Sequence, residues 1–125
     1  MYSHNMIGSN DTGRSKVFYD ALFTATGGKP GMQDAKGRLI YMHNGGMFMV
    51  TPPINGEPAS AGNGCTIGFT MDSTEQAEAW HAAGVANGGT SVEDPPGWRD
   101  GGFGRLYLAY LRDPDGNKLC ALMRG

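Results

Sequence analysis

The chain has 125 residues, a formal net charge of −2 at pH 7 and 39% hydrophobic residues, which suits one domain whose core needs no disulfide. So small a net charge gives no electrostatic footprint for nucleic acid, and no apolar run approaches the roughly 18 residues of a membrane span. No basic and apolar leader pattern opens the sequence, so a cytoplasmic setting with Cys65 and Cys120 as free thiols is expected.

Residues 2–8 alternate as a strand, with Tyr2, His4 and Met6 on one face and Ser3, Asn5 and Ile7 on the other. Asn5 is out of place on a packed face and calls for a partner or an edge position. Asp11 suits the N-cap of a helix over 13–26, where Phe18, Ala21, Leu22 and Ala25 form one apolar stripe and Gly27-Gly28 ends it. Strands are predicted near 31–35, 38–43 and 46–51, with turns at Lys36-Gly37 and at Asn44-Gly45, a type I′ signal. The Pro- and Gly-rich stretch 52–64 reads as a connecting loop. Residues 64–71 read as a strand, Ser73 and Gln76 as a capping box, and 74–87 as a helix weakened by Gly84. A short strand near 90–93 precedes a loop over 94–102, too rich in Pro and Gly for regular structure. Strands over 104–111 and 117–123 are joined by Asp113-Pro114-Asp115-Gly116, which suits a type I turn with a Gly bulge.

The order repeats. An offset of 62 carries His4, Phe18, Tyr19 and Gly27 onto Thr66, Trp80, His81 and Gly89. The reading is one α+β domain of two βαβββ modules, about 1–55 and 64–125, each sheet having a helix-covered and an open face. Two such units side by side would enclose a cup lined from the open faces.

Three signals resemble the glyoxalase/bleomycin-resistance/dioxygenase (vicinal oxygen chelate) superfamily. They are the opening Ser3-His4-Asn5-Met6-Ile7-Gly8 with Asn10-Asp11 and Ser15-Lys16-Val17-Phe18-Tyr19, the closing Tyr110-Leu111-Arg112-Asp113-Pro114-Asp115-Gly116-Asn117, and the doubled order itself. The resemblance implies a cup-shaped fold, a homodimer, a small-molecule ligand and a divalent metal ligated from four strands. The four ligand positions fall on His4, near Met49, on Thr66 and on Cys120. Only His4 is a standard ligand of that family, so the resemblance implies an enzyme with an incomplete metal site or none. The activity it implies is that of a lyase or isomerase, similar to lactoylglutathione lyase, with metal-free drug sequestration of the bleomycin-resistance kind as the alternative.

Each candidate residue has a plainer reading beside it. His4 could ligate a metal, act as a general base, or line a pocket. Cys120 could be a nucleophile paired with His4 across the cup, or a small buried side chain. Tyr2, Met6, Tyr41, Met47, Met49, Thr66, Leu108 and Tyr110 are the expected cup lining, with Trp98 and Arg99 on a lid-like loop; core packing and a solvent loop compete with these readings. His43 ends a strand beside a turn, and His81 is expected on the exposed side of its helix. No phosphate-binding loop, dinucleotide fingerprint, nucleophile elbow or paired-cysteine motif is present.

Overall fold

A computed structural model describes residues 1–102 and 104–125. The elements run β1 (Asn5–Gly8), α1 (Thr12–Ala25), β2 (Met32–Gln33), β3 (Leu39–His43), β4 (Gly46–Thr51), β5 (Ile67–Thr70), α2 (Thr74–Ala86), β6 (Thr90–Ser91), β7 (Gly97–Gly101), β8 (Gly104–Arg112) and β9 (Lys118–Arg124). The first sheet has the order β1-β4-β3-β2 and the second β5-β9-β8-β6, with β7 also on β8. In both, the first strand runs parallel to the last and the others are antiparallel. The two βαβββ modules of the sequence reading are therefore present, with no closed barrel.

Local chemistry places the elements. Asp11 caps α1 by accepting from the Arg14 N–H at 3.0 Å, and Ser73 caps α2 by accepting from the Gln76 N–H at 3.0 Å. The Gln76 side chain reaches back one residue further than a capping box requires, to the Asp72 N–H at 2.7 Å. Asn44 and Gly45 both hold positive φ, 49° and 81°, as a type I′ hairpin demands.

Several strands differ from the expectation: β2 and β6 are only two residues long, and β5 starts at Ile67 where residue 64 was expected. The first strand starts at Asn5, so Tyr2 and His4 precede it. Residues 97–101, expected as irregular loop, form β7. The cause is the length of β8: β6 pairs only its C-terminal end, and β7 takes the remaining edge from Gly97↔Leu108 to Gly101↔Gly104. Glu93, at φ 57°, lies in the break between these collinear strands.

The two helix-covered faces share one core. Phe18, Tyr19, Leu22 and Phe23 of α1 and Ala77 and Trp80 of α2 meet Leu39, Tyr41, Phe48 and Val50 from one sheet and Tyr107, Ala109, Leu111, Leu119 and Ala121 from the other. Phe69 of β5 packs edge-on to Phe23 at 5.8 Å and to Phe48 at 5.4 Å, joining the modules. Gly84, read from sequence as a weakness, has a packing role: a Cβ there would sit 2.3 Å from Leu111 Cδ1 and 3.2 Å from Leu22 Cδ2.

The Asp113–Asn117 hairpin clamps the modules together. Asp113 is 4% exposed and its Oδ2 accepts from the Tyr19 hydroxyl at 2.6 Å and the Asn117 amide at 2.9 Å. Its Oδ1 accepts from the Asp115 and Asn117 N–H groups, both at 2.9 Å. Asp115 accepts from the Asn10 N–H and the Arg14 guanidinium at 2.9 Å each, and from the Ser15 hydroxyl at 3.3 Å. Burial, and then the adjoining Asp113 carboxylate, push the Tyr19 hydroxyl well above the ordinary phenol pKa, so it stays a donor. We predict that Asp113→Ala costs about 3 kcal/mol and Tyr19→Phe about half as much, since the first strands several buried donors and the second removes one bond. Urea denaturation at neutral pH measures both, and equal stability of Asp113→Ala and the native protein would contradict the clamp.

Candidate functional site

A cleft of about 280 Å³ opens at the seam between the modules. Its walls come from the segment 2–5 ahead of and into β1, the β3–β4 hairpin, β5, and the facing sides of both helices. The floor is aromatic and apolar: Leu22, Phe23, Phe48, Phe69 and Trp80. The rim is polar and carries His4, Asn5, His43 and Asn44. Ser3 Oγ lies 2.8 Å from His4 Nδ1, and the Asn44 amide lies 3.1 Å from His43 Nε2. No Asp, Glu, Lys or Arg lines the cleft among the described residues.

The cleft receives only part of the expected lining. Tyr2, His4, Tyr41 and Met47 border it; Met6, Met49, Thr66, Leu108, Tyr110 and Cys120 do not. Strand parity is the reason. Phe48 and Val50 point to the helices, so Met6, Met49 and their cross-strand neighbour Ile40 share the opposite, open face of the first sheet. In the second sheet Ala109, Leu111, Leu119 and Ala121 point to the helices, and Leu108, Tyr110 and Cys120 share the other face. Thr66 lies ahead of β5 and is exposed. The hollow between the modules is thus lined chiefly from the helix-covered side and the seam, where open-face residues were expected.

Tyr41 belongs with Phe48, its cross-strand partner. Its hydroxyl donates to Asp20 at 2.7 Å, and burial followed by that bond raises its pKa far above the ordinary phenol value. Burial alone would raise the Asp20 pKa, but hydrogen bonds from Lys16, Tyr41 and the Gly31 N–H outweigh it and hold the carboxyl below its ordinary range. Trp98 is neither on an irregular loop nor over the cleft. It lies on β7 with its ring edge-on to Tyr107 at 5.3 Å and the Arg105 guanidinium 4.4 Å above it. Arg99 is spent on the carbonyls of Gly97, Leu108 and Asp94. His81 is half-buried, with Nε2 2.9 Å from Ser91 Oγ, and burial lowers its pKa.

His4 and Cys120 are not brought together: His4 is on the cleft rim and Cys120 is under the open face of the second sheet, beside Tyr110. Cys120 is 5% exposed, and its thiol donates to the Ala121 carbonyl at 3.5 Å. Burial pushes its pKa up, against the requirement of a nucleophile or a thiolate ligand. The residues at the four metal-ligand positions do not fit a divalent metal. They offer one exposed imidazole, a thioether, an exposed hydroxyl and a buried protonated thiol, and no three His, Cys, Asp or Glu side chains cluster among the described residues.

A family model described as the Glyoxalase/Bleomycin resistance protein/Dioxygenase superfamily matches residues 2–121. The chain belongs to this superfamily. A solved glyoxalase/bleomycin resistance protein from Albidiferax ferrireducens T118 is 58% identical, with a TM-score of 0.96 and 99% of each chain covered. A glyoxalase-related enzyme from Fulvimarina pelagi is 18% identical at a TM-score of 0.73, covering 99% of this chain and 88% of its own. A superfamily enzyme from Burkholderia phytofirmans PsJN is 16% identical at 0.71, covering 97% and 96%. These last two share the fold. A comparison with curated protein sequences finds no match. No helix among the described residues is long and apolar enough to cross a membrane.

Sequence reasoning missed the floor of the cleft. Phe23, Phe48, Phe69 and Trp80 are absent from the expected lining, and nothing in periodicity separates a core ring from one that also borders a cleft. Asn5 carried a signal, since a polar residue on a packed strand face marks a place where packing stops.

The Cys120 pKa shift yields a kinetic expectation. A raised pKa leaves less thiolate at neutral pH, so iodoacetamide should alkylate exposed Cys65 first and Cys120 more slowly than an ordinary thiol. Peptide mass spectrometry over a time course reads both sites, and equal or faster labelling of Cys120 would restore it as a reactive group.

Proposed function

We propose that this superfamily member binds a small organic molecule in the seam cleft without using a metal. The observation that carries this reading is the composition of the cleft: an aromatic floor, a rim of hydrogen-bonding groups from His4, Asn5, His43 and Asn44, and no Asp, Glu, Lys or Arg lining it among the described residues. Such a surface suits recognition by ring packing and a few polar contacts. It does not suit lyase or isomerase chemistry on a polar metabolite. That chemistry needs a base and an electrophile acting together at the reacting atoms; the rim supplies imidazoles, but no metal-ligand cluster or charged group lines the cleft beside them among the described residues.

Thermal denaturation with a panel of small aromatic compounds tests the reading. A true ligand at 100-fold its Kd should add about 2.7 kcal/mol and raise Tm by several degrees. Nickel, zinc, manganese and iron salts should leave Tm unchanged. A metal retained near one per chain, with turnover of a thiol-conjugated substrate, would replace binding by catalysis.

We also propose that the chain is a homodimer. Support comes from the outer face of the first sheet, where Met6, Met32 and Met42 are 40%, 63% and 66% exposed. Register puts Met6 beside Met49, Met32 beside Ile40 and Met42 beside Met47 on that face. A continuous methionine patch is costly to leave in water and adapts readily to a partner. Sedimentation equilibrium should give twice the chain mass, falling to the chain mass for Met6→Lys with Met42→Lys; a native monomer at high micromolar concentration would remove the proposal.

A further inference from the structure

We infer that the occupant of the seam cleft is an uncharged planar ring carrying a hydrogen-bond acceptor, which it presents to the Trp80 indole N–H. This inference names the ligand class for the binding reading above and rests on it.

The donor is the decisive feature. Trp80 is 2% exposed and lines the cleft. An indole N–H only donates, and a buried tryptophan ordinarily satisfies it. Among the described residues no protein group accepts from Trp80. Yet among the described residues no fully enclosed side-chain nitrogen or oxygen lacks a partner. The N–H therefore keeps a small exposed area; we assign that opening to the cleft Trp80 lines, where an occupant must accept from it or leave it desolvated.

The fold itself does not call for this donor. The 62-residue repeat places Phe18 where α2 has Trp80, and Phe18 is fully buried with no polar atom. The first module thus fills the equivalent position with a plain ring. In the second, the indole adds a single polar atom at the floor of the cleft between the modules.

The walls set the shape and charge of the occupant. Beside Trp80, Phe23, Phe48 and Phe69 form the floor, with the Phe69 ring standing edge-on to the other two, at 88° to Phe23 and 74° to Phe48. Such walls offer both a ring face and a ring edge to a flat guest. An ionised guest would bring its charge into a lining that holds no Asp, Glu, Lys or Arg among the described residues, with imidazoles at the rim and none on the floor. The carboxylate of Asp20, behind Tyr41, is already engaged by Lys16, Tyr41 and Gly31. At the rim, Asn5 and the His43–Asn44 pair can meet a second polar atom at the guest's outer edge. A volume of about 280 Å³ limits the guest to one or two rings.

Three probes of similar size separate the terms: benzamide, neutral with an acceptor; toluene, neutral without one; and benzoate, charged. The readout is the pair of indole N–H signals in a ¹H–¹⁵N correlation spectrum, assigned with Trp98→Phe. The expected result is that benzamide moves the Trp80 signal and leaves Trp98 in place. It should also bind about fivefold or more tightly than toluene, the worth of one neutral hydrogen bond, and more tightly than benzoate. In Trp80→Phe, which keeps an aromatic floor, benzamide should fall to the affinity of toluene. Toluene binding as well as benzamide, or benzamide shifting the Phe69 and Gly68 amides but not the Trp80 indole, would overturn the acceptor while leaving the binding site standing. If no probe moves any cleft resonance at millimolar concentration, the binding reading falls with it.

Discussion

Asp113 is a carboxylate shut away from water, and the rest of the structure depends on how it is satisfied. Burying a lone carboxylate costs several kcal/mol, yet here its two oxygens take four donors, three from its own hairpin and one from Tyr19 of the other module. Asn117 extends the joint by donating to the Gly8 carbonyl at 3.1 Å, so the end of β1 is fixed as well. A second line of bonds runs from the Asp11 N–H to Ser9, from Ser9 to Ser15, and from Ser15 to Asp115. The hairpin sets where α1 starts relative to the second sheet, and through α1 it sets the position of Phe23 on the cleft floor. The most specific part of the superfamily resemblance, the closing hairpin, thus serves the assembly of the modules and contributes no atom to the cleft.

Much of this architecture was legible in the chain because repeats and caps act locally. The 62-residue offset places β1 on β5 and the start of α1 on that of α2, and both helix starts follow from a single side chain. Face assignment was harder, because it turns on strand parity. Tyr41 was grouped with Met47 and Met49, but its partner across the hairpin is Phe48, so it points the other way. β7 escaped notice for a different reason. Gly97, Asp100 and Gly101 have poor strand propensity, and only the unfilled edge of β8 makes pairing worthwhile, a tertiary demand that overrides local preference. The cleft was the least legible, since it lies where two modules fail to close on each other and no local pattern encodes a gap.

The two halves have diverged unequally, and the pattern of divergence bears on function. At the position of Ile67, which packs on the core of the second module, the first has Asn5, exposed at the mouth of the cleft. At the position of Trp80 the first has Phe18. At the position of His4 the second has Thr66. The first two differences move polar atoms toward the seam, and the third removes a ligand from a symmetric pair. A chain under pressure to keep a metal would hold the donors and could let the seam vary. Here His4 alone of the family's standard ligands remains, while a polar rim and Trp80 border one aromatic hollow, the surroundings that the proposed recognition of a neutral ring calls for.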